Sequence, residues 1–121
     1  MDKAIFNEAL RNRTKQFALR IIKLFQSLPK SGECQIIGKQ LLKSGTSVAA
    51  NYRAACRAKS KAEFVSKISI VIEEADESAF WLELLIDSKI VQEKKLTPLL
   101  HEAIELLSIF STARKTSTKK T

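Results

Sequence analysis

The chain has 121 residues, 45% of them hydrophobic and 28% charged, with three Gly, two Pro and a net charge of +8. This length is enough for one domain with its own core, and so few chain breakers favour long helices over many short strands. No apolar run reaches the roughly 18 residues of a membrane span, and the N-terminus lacks the apolar block of a signal peptide, so we expect a cytoplasmic protein with Cys34 and Cys56 as reduced thiols.

Two long helices are predicted in the first half of the chain. Helix 1 runs from about Lys3 to Leu28, where Pro29 ends it, and helix 2 runs from about Cys34 to Ala58. Apolar residues recur at the three-, four- and seven-residue spacings of a helix face. They are Phe6, Leu10, Phe17, Ile21, Leu24 and Leu28, with Thr14 in the gap, then Ile37, Leu41, Val48, Tyr52 and Ala55. Gly45 costs helix 2 about 1 kcal/mol relative to Ala, which indicates close approach of a neighbouring helix.

Helix 3 is predicted from about Lys61 to Lys89, with Ser60 as its N-cap and Glu63 completing a capping box. Its core stripe is Val65, Ile68, Ile72, Ala75, Ala79, Leu82 and Ile86, and a second stripe is Glu74, Glu77, Trp81 and Leu85. Phe80 falls within a third, acidic stripe of Glu73, Asp76, Glu83 and Asp87. Since a helix that is apolar on more than one face needs more than one neighbour, we predict an oligomer interface at Phe80, Trp81 and Leu84. Burial in the monomer core is the alternative for Trp81 and Leu84.

The turn at Ser60 predicts how helices 2 and 3 pair. An antiparallel hairpin centred there places Lys43 opposite Glu77, Thr46 opposite Glu74 and Ser47 opposite Glu73. Because buried polar groups must be hydrogen-bonded, we expect a polar network that fixes the register of the two helices. Such a row of acids could also suggest a metal or acid–base site, but it contains no His or Cys, and structural pairing is the favoured interpretation.

The last element is helix 4, which Thr97 as N-cap and Pro98 as first helical residue are predicted to open after a charged link at Ile90–Leu96. Helix 4 is predicted to end near Arg114, and residues Lys115–Thr121 are predicted to form a disordered basic tail. Four helices with short links predict an all-α, antiparallel up-down-up-down four-helix bundle over residues 1–114.

Three segments of the hairpin carry a family resemblance: Gln40–Ala55, Ser60–Phe64 and Glu73–Leu82. On these motifs the chain resembles the four-helix-bundle proteins known as the 23S rRNA intervening-sequence protein family. Ala54 departs from the family pattern, which usually has Glu there. The resemblance implies a bundle that assembles into a ring, typically a pentamer, that has no established enzymatic activity and is encoded within insertions of bacterial ribosomal RNA genes. More distantly, the chain is similar to the accessory variability determinant of diversity-generating retroelements, a basic pentameric bundle that binds nucleic acid and a reverse transcriptase.

No stretch of the sequence specifies a reaction, so we do not expect an enzyme. His101, the one histidine, has Glu102 beside it but no placed Cys, Ser or second ligand, and therefore makes neither a triad nor a zinc site. We interpret it as a surface residue of helix 4. No metal and no cofactor are expected.

The charge distribution indicates a polyanion partner. Residues 1–62 contain 13 Lys/Arg and three acids, a net charge of +10, whereas residues 63–121 contain eight Lys/Arg and ten acids, a net charge of −2. We expect RNA or DNA to bind a basic surface through phosphate contacts, without base stacking because aromatic residues are scarce. The candidate contacts are Arg11, Lys15, Lys23, Lys39, Arg53, Arg57, Lys59 and Lys61. The alternatives are a charge surplus that maintains solubility, and a ring-shaped scaffold that docks a partner enzyme such as a reverse transcriptase.

Overall fold

The computed structural model describes residues 3–119, which form four α-helices joined by short loops. They are α1 (Lys3–Ser27), α2 (Gly32–Cys56), α3 (Lys61–Asp87) and α4 (Glu93–Lys119). Each helix packs against the next, and α4 returns to α1, so α1 and α3 lie diagonally opposite. The predicted all-α four-helix bundle is confirmed. Of the described helices, none combines the length and the apolar character needed to cross a membrane.

The core follows the predicted stripes of α1 and α2. On α1, Leu10, Thr14, Phe17, Ile21, Leu24 and Leu28 are all buried, while the side chain of Phe6 lies outside the described part of the chain. On α2, Leu41, Val48, Tyr52 and Ala55 are buried and Ile37 is half-buried. The one polar member, Thr14, remains hydrogen-bonded because its hydroxyl donates to the carbonyl of Leu10 at 2.9 Å.

Gly45 lies where α2 meets α1, as its place in the sequence predicts. A Cβ added to Gly45 would lie 2.9 Å from Cγ1 of Ile21, closer than real Cβ contacts come. Ile21 is itself fully buried and cannot move aside freely. Glycine is therefore the residue that lets α2 pack this closely on α1.

The core face of α3 differs from the prediction by a small rotation. Ile68, Ala75, Ala79 and Leu82 are buried as predicted. Three other predicted residues are only half-buried: Val65, Ile72 and Ile86. The buried positions next to them are Val71, Ser78 and Leu85, of which Leu85 belongs to the predicted second stripe. Part of the second stripe is therefore in the core, because α3 packs against both α2 and α4 and needs two buried flanks.

The predicted pairing of acids on α3 with Lys43, Thr46 and Ser47 is wrong. Lys43, Glu73 and Glu77 are exposed, and the hydroxyl of Thr46 donates to Leu42 of its own helix at 2.8 Å. The helices are joined by the hydroxyls of Ser44 and Ser78, both fully buried and 2.9 Å apart. Each hydroxyl also donates to a carbonyl of its own helix, so both buried groups are hydrogen-bonded. This pairing avoids the cost of burying a carboxylate, which the predicted acid pairs would have required.

The ends of the first three helices lie within two residues of their predicted positions. The N-cap is confirmed, because Ser60 Oγ accepts from the N–H of Glu63 at 3.0 Å. The Glu63 carboxylate reaches back to accept from the N–H of Lys59 at 2.8 Å, one residue before the N–H that a capping box uses. At the other end of α3, Lys89 has a φ of 60°, in the left-handed region that ends a helix.

Helix α4 is longer than predicted at both ends. It begins at Glu93, so Pro98 lies inside the helix and the Thr97 hydroxyl donates to the Glu93 carbonyl rather than capping the N-terminus. The extra turn is stabilised by Leu96, which is fully buried, and the exposed Pro98 leaves the Lys94 carbonyl open to water. The helix continues through Lys119 because neither Gly nor Pro occurs after Pro98, so residues 115–119 are helical rather than disordered. Residues 120 and 121 of the predicted tail lie outside the described part.

Candidate nucleic-acid interface

An open groove of about 840 Å³ runs between the N-terminal half of α1 and the C-terminal half of α2. From α1 it is lined by Glu8, Arg11, Asn12 and Lys15, and from α2 and its C-cap by Thr46, Ala49, Ala50, Arg53, Cys56 and Arg57. We call this the basic groove. It brings together four of the eight cations that the sequence nominates.

Helical spacing explains why these four cations converge. Arg11 and Lys15 are four residues apart on α1, as are Arg53 and Arg57 at the end of α2, so each pair lies on one flank of its helix. Ala49 and Ala50, one and two turns before the arginines of α2, also line the groove and leave space in it because their side chains are small. Arg53 lies in the last turn of α2, where the helix dipole favours a positive charge.

The charge of the basic groove is not neutralised within the described structure. Arg11, Lys15, Arg53 and Arg57 are exposed, and the ion pairs formed between described residues do not include them. One carboxylate, that of Glu8, lies among them. The groove therefore presents a surplus of exposed cations, which is the arrangement that phosphate groups bind.

Tyr52 lies next to Arg53 in the sequence but does not line the groove. It is buried, packs against Phe110 of α4 with ring centroids 5.0 Å apart, and donates its hydroxyl to Oδ1 of Asn7 at 3.3 Å. Burial is the main cause that raises the pKa of the Tyr52 phenol; Cys56 raises this pKa further and the charge of Arg11 opposes the shift. Tyr52 thus offers no exposed ring for base stacking, as predicted.

The other four candidate cations lie outside the basic groove. Lys59 and Lys61 follow Arg57 in the α2–α3 joint and extend the positive surface around the same end of the bundle. Lys23 is exposed about 12 Å further along α1 than Lys15, and Lys39 is exposed about 21 Å along α2 from Arg53. The structure therefore does not bring Lys23 and Lys39 to the groove.

Arg13, which is not among the predicted contacts, has a structural role instead. It lies on the opposite flank of α1 from Arg11 and reaches α4, where its Nε and Nη2 donate to Glu102 at 2.7 and 2.8 Å and Nη2 also donates to Glu105. Hydrogen bonds to these two carboxylates raise the pKa of the Arg13 guanidinium. The signal available in the sequence was the three-residue spacing of Glu102 and Glu105, which places both on one face of α4.

A second surface occupies the outer side of α3. Phe80 is 51% exposed and meets Trp81 edge-to-face with centroids 4.9 Å apart, and Trp81 and Leu84 are half-buried. Exposed carboxylates surround them: Glu73, Asp76, Glu77, Glu83 and Asp87. We call this the acidic aromatic face. The structure places the three predicted interface residues together, with Phe80 the most exposed.

The chemistry of the remaining polar residues is limited. His101 is exposed in the third turn of α4, not the first, because the helix begins earlier than predicted. Within residues 3–119 there is no group of three His, Cys, Asp or Glu side chains arranged to hold a metal ion. Cys34 and Cys56 are free thiols, the first buried and the second half-buried, and burial raises the pKa of Cys34.

Comparison with known proteins agrees with this architecture. No curated protein matches the sequence. A crystal structure from Bacteroides thetaiotaomicron, described as a protein of unknown function from the S23 ribosomal protein family, is 31% identical; the alignment covers 90% of this chain and 97% of that one, with a TM-score of 0.83. The sequence profile of the 23S rRNA-intervening sequence proteins matches residues 8–112. Since this match spans most of the sequence, the chain belongs to the 23S rRNA-intervening sequence protein family.

Proposed function

We propose that this protein is a non-enzymatic, cytoplasmic RNA-binding bundle that contacts phosphates through the basic groove. The observation that carries the proposal is the convergence of Arg11, Lys15, Arg53 and Arg57, all exposed and none in an ion pair between described residues. Lys59 and Lys61 in the adjacent joint extend the contact surface. RNA is proposed rather than DNA because, by the family resemblance, the genes of these proteins lie within ribosomal RNA genes and are transcribed together with rRNA.

The test compares two variants that remove the same charge. Arg53→Gln/Arg57→Gln removes two cations from the groove, and Lys23→Gln/Lys39→Gln removes two exposed cations outside it. Each is titrated against labelled structured RNA by fluorescence anisotropy over a salt series. Because each phosphate contact contributes about 0.9 to the slope of log affinity against log salt, we expect the groove variant to lose about 1.8 from the slope, and the control almost nothing.

Two results would contradict this function. Equal losses in the two variants would mean that net charge alone, and not the groove, attracts RNA. Absence of binding to structured RNA at low salt, or affinity that does not change with salt, would remove phosphate recognition as the function of the groove.

A second function is favoured by the acidic aromatic face. An exposed Phe80 stacked on Trp81 is a large apolar surface, of the kind that is commonly covered in a protein–protein interface. Here the protein would act as a homo-oligomeric scaffold, a pentameric ring by the family resemblance, that docks a partner enzyme such as a reverse transcriptase. Light scattering tests the first step: Phe80→Glu is expected to dissociate the oligomer. An oligomer of unchanged mass would exclude Phe80 from the interface.

A further inference from the structure

We infer that the basic groove binds the sugar–phosphate backbone of double-helical RNA in preference to unpaired RNA. This inference rests on the proposed function and names the class of RNA that the groove takes. Three features of the site favour paired RNA: the two rows of cations, the packed helices that carry them, and the nature of the side chains between them.

The cations of the basic groove form two short parallel rows. Residues four apart on a helix are separated by about 6 Å along its axis, so Arg11 with Lys15, and Arg53 with Arg57, each form a row of this length. Neighbouring helices pack with axes about 8–10 Å apart, which separates the two rows. Since each row holds two cations, it can contact about two phosphates of a nucleic-acid backbone. The groove therefore makes about four phosphate contacts.

Rigidity decides between paired and unpaired RNA. The rows lie on two helices that are held in the core by the packing of Tyr52 on Phe110 and by the close contact of Gly45 with Ile21. A duplex presents its phosphates in a fixed array, so only the side chains of the cations lose conformational freedom when the contacts form. A flexible strand loses conformational freedom when it is ordered on the same cations.

The side chains of the groove offer unpaired bases nothing to compensate that loss. Proteins that hold single strands stack the bases on exposed aromatic rings. The groove is lined by charged, amide and small side chains, and contains no aromatic residue. Phe80 and Trp81 lie on the acidic aromatic face of α3, which is diagonally opposite α1 and carries five exposed carboxylates that repel a nucleic acid.

The experiment uses the full chain with an RNA duplex of about 20 base pairs and with each of its strands alone, chosen to be free of self-pairing. Four contacts predict salt slopes of about −3.6 for the duplex and about −2.8 for a strand. If the affinities for the duplex and for the strand are equal near 1 M salt, this difference in slope makes the duplex bind about tenfold more tightly than the strand at about 50 mM salt. Arg11→Gln/Arg53→Gln lowers the duplex slope by about 1.8, and Lys23→Gln/Lys39→Gln leaves it unchanged.

The possible outcomes separate this inference from the function on which it rests. Tighter binding of the duplex with the steeper slope supports it. Strands that bind as tightly as the duplex, with a slope that still falls in the groove variant, would overturn the preference for paired RNA and leave phosphate binding in place. Binding of neither RNA would overturn both.

Discussion

Replacement of Gly45 by Ala tests how closely α1 and α2 must pack to form the groove. Ala is the better helix former by about 1 kcal/mol, and at an unconstrained helical position the change would stabilise the protein by that amount. Here the new Cβ would lie 2.9, 3.2 and 3.3 Å from Cγ1, Cγ2 and Cβ of Ile21. These atoms are attached directly to the backbone of α1 or one bond from it, and Ile21 is fully buried, so no rotamer change moves them all away.

The two effects oppose one another, and the steric one is the larger. Overpacking of a filled core costs about 1–3 kcal/mol. Subtraction of the propensity gain leaves Gly45→Ala less stable than wild type by about 1 kcal/mol, which lowers the melting temperature of a chain of this size by about 3–5 °C. Urea denaturation followed by circular dichroism measures the free energy of unfolding, and Ala50→Gly, at an exposed position of the same helix, calibrates the propensity difference.

A double-mutant cycle identifies the cause. Ile21→Ala removes Cγ1 and Cγ2 and costs about 2–5 kcal/mol by itself. In that background the added methyl of Gly45→Ala occupies vacated space, so the second change becomes stabilising and the coupling free energy reaches about 2 kcal/mol. A Gly45→Ala protein that is more stable than wild type by about 1 kcal/mol, or a cycle without coupling, would refute the close approach of the two helices.

Three further predictions concern individual residues. Arg13→Met leaves the half-buried Glu102 without its partner and lowers the free energy of unfolding by about 1 kcal/mol after allowance for exposure, in urea denaturation; a change below about 0.3 kcal/mol would contradict this. Tyr52, the single tyrosine, has a raised pKa in the folded state, so the unfolded state loses the phenol proton first as pH rises above about 10. The free energy of unfolding therefore falls above this pH, and Tyr52→Phe removes this component of the loss. Tyrosinate absorbance reports the titration of Tyr52 directly, and a folded-state pKa at its ordinary value would contradict the burial argument. Glu8→Gln removes the carboxylate of the groove and raises RNA affinity about twofold to fivefold by anisotropy, whereas loss of affinity would indicate that Glu8 orders the groove.

The fold was predictable because the spacing of apolar residues and the capping residues indicate the same helices along most of the chain. The stripe from Leu10 to Leu28 and the N-cap hydrogen bond of Ser60 with Glu63 each depend on neighbours a few residues away, which a sequence displays directly. The start of α4 depends instead on a tertiary contact. Thr97 and Pro98 have the local character of a helix start, but burial of Leu96 against the other helices extends α4 by a turn beyond them.

The site was predictable in part for the same reason. Net charge identifies the basic half of the chain, and Arg11, Lys15, Arg53 and Arg57 come from it. Which cations share a groove depends on how α1 is rotated against α2. Residues two positions apart on a helix point about 200° away from each other, so Arg11 faces the groove and Arg13 faces α4. The composition of the chain does not distinguish these two arginines. Likewise, the hydroxyl pair of Ser44 and Ser78 depends on a rotation of α3 that charge patterns do not indicate.

The distribution of charge around the bundle separates the two proposed surfaces. The basic groove lies between α1 and α2, and the acidic aromatic face lies on the outer side of α3, diagonal to α1. Field strength from exposed charges falls off within about 10 Å at moderate salt, so a polyanion on the groove is little affected by the carboxylates of α3. Substitutions on the two surfaces should therefore act additively: Phe80→Glu changes assembly but leaves the intrinsic RNA affinity of each protomer within about a factor of two. An assembly built through α3 would leave the groove of every copy open, so it would increase the number of phosphate contacts per particle without altering any one of them.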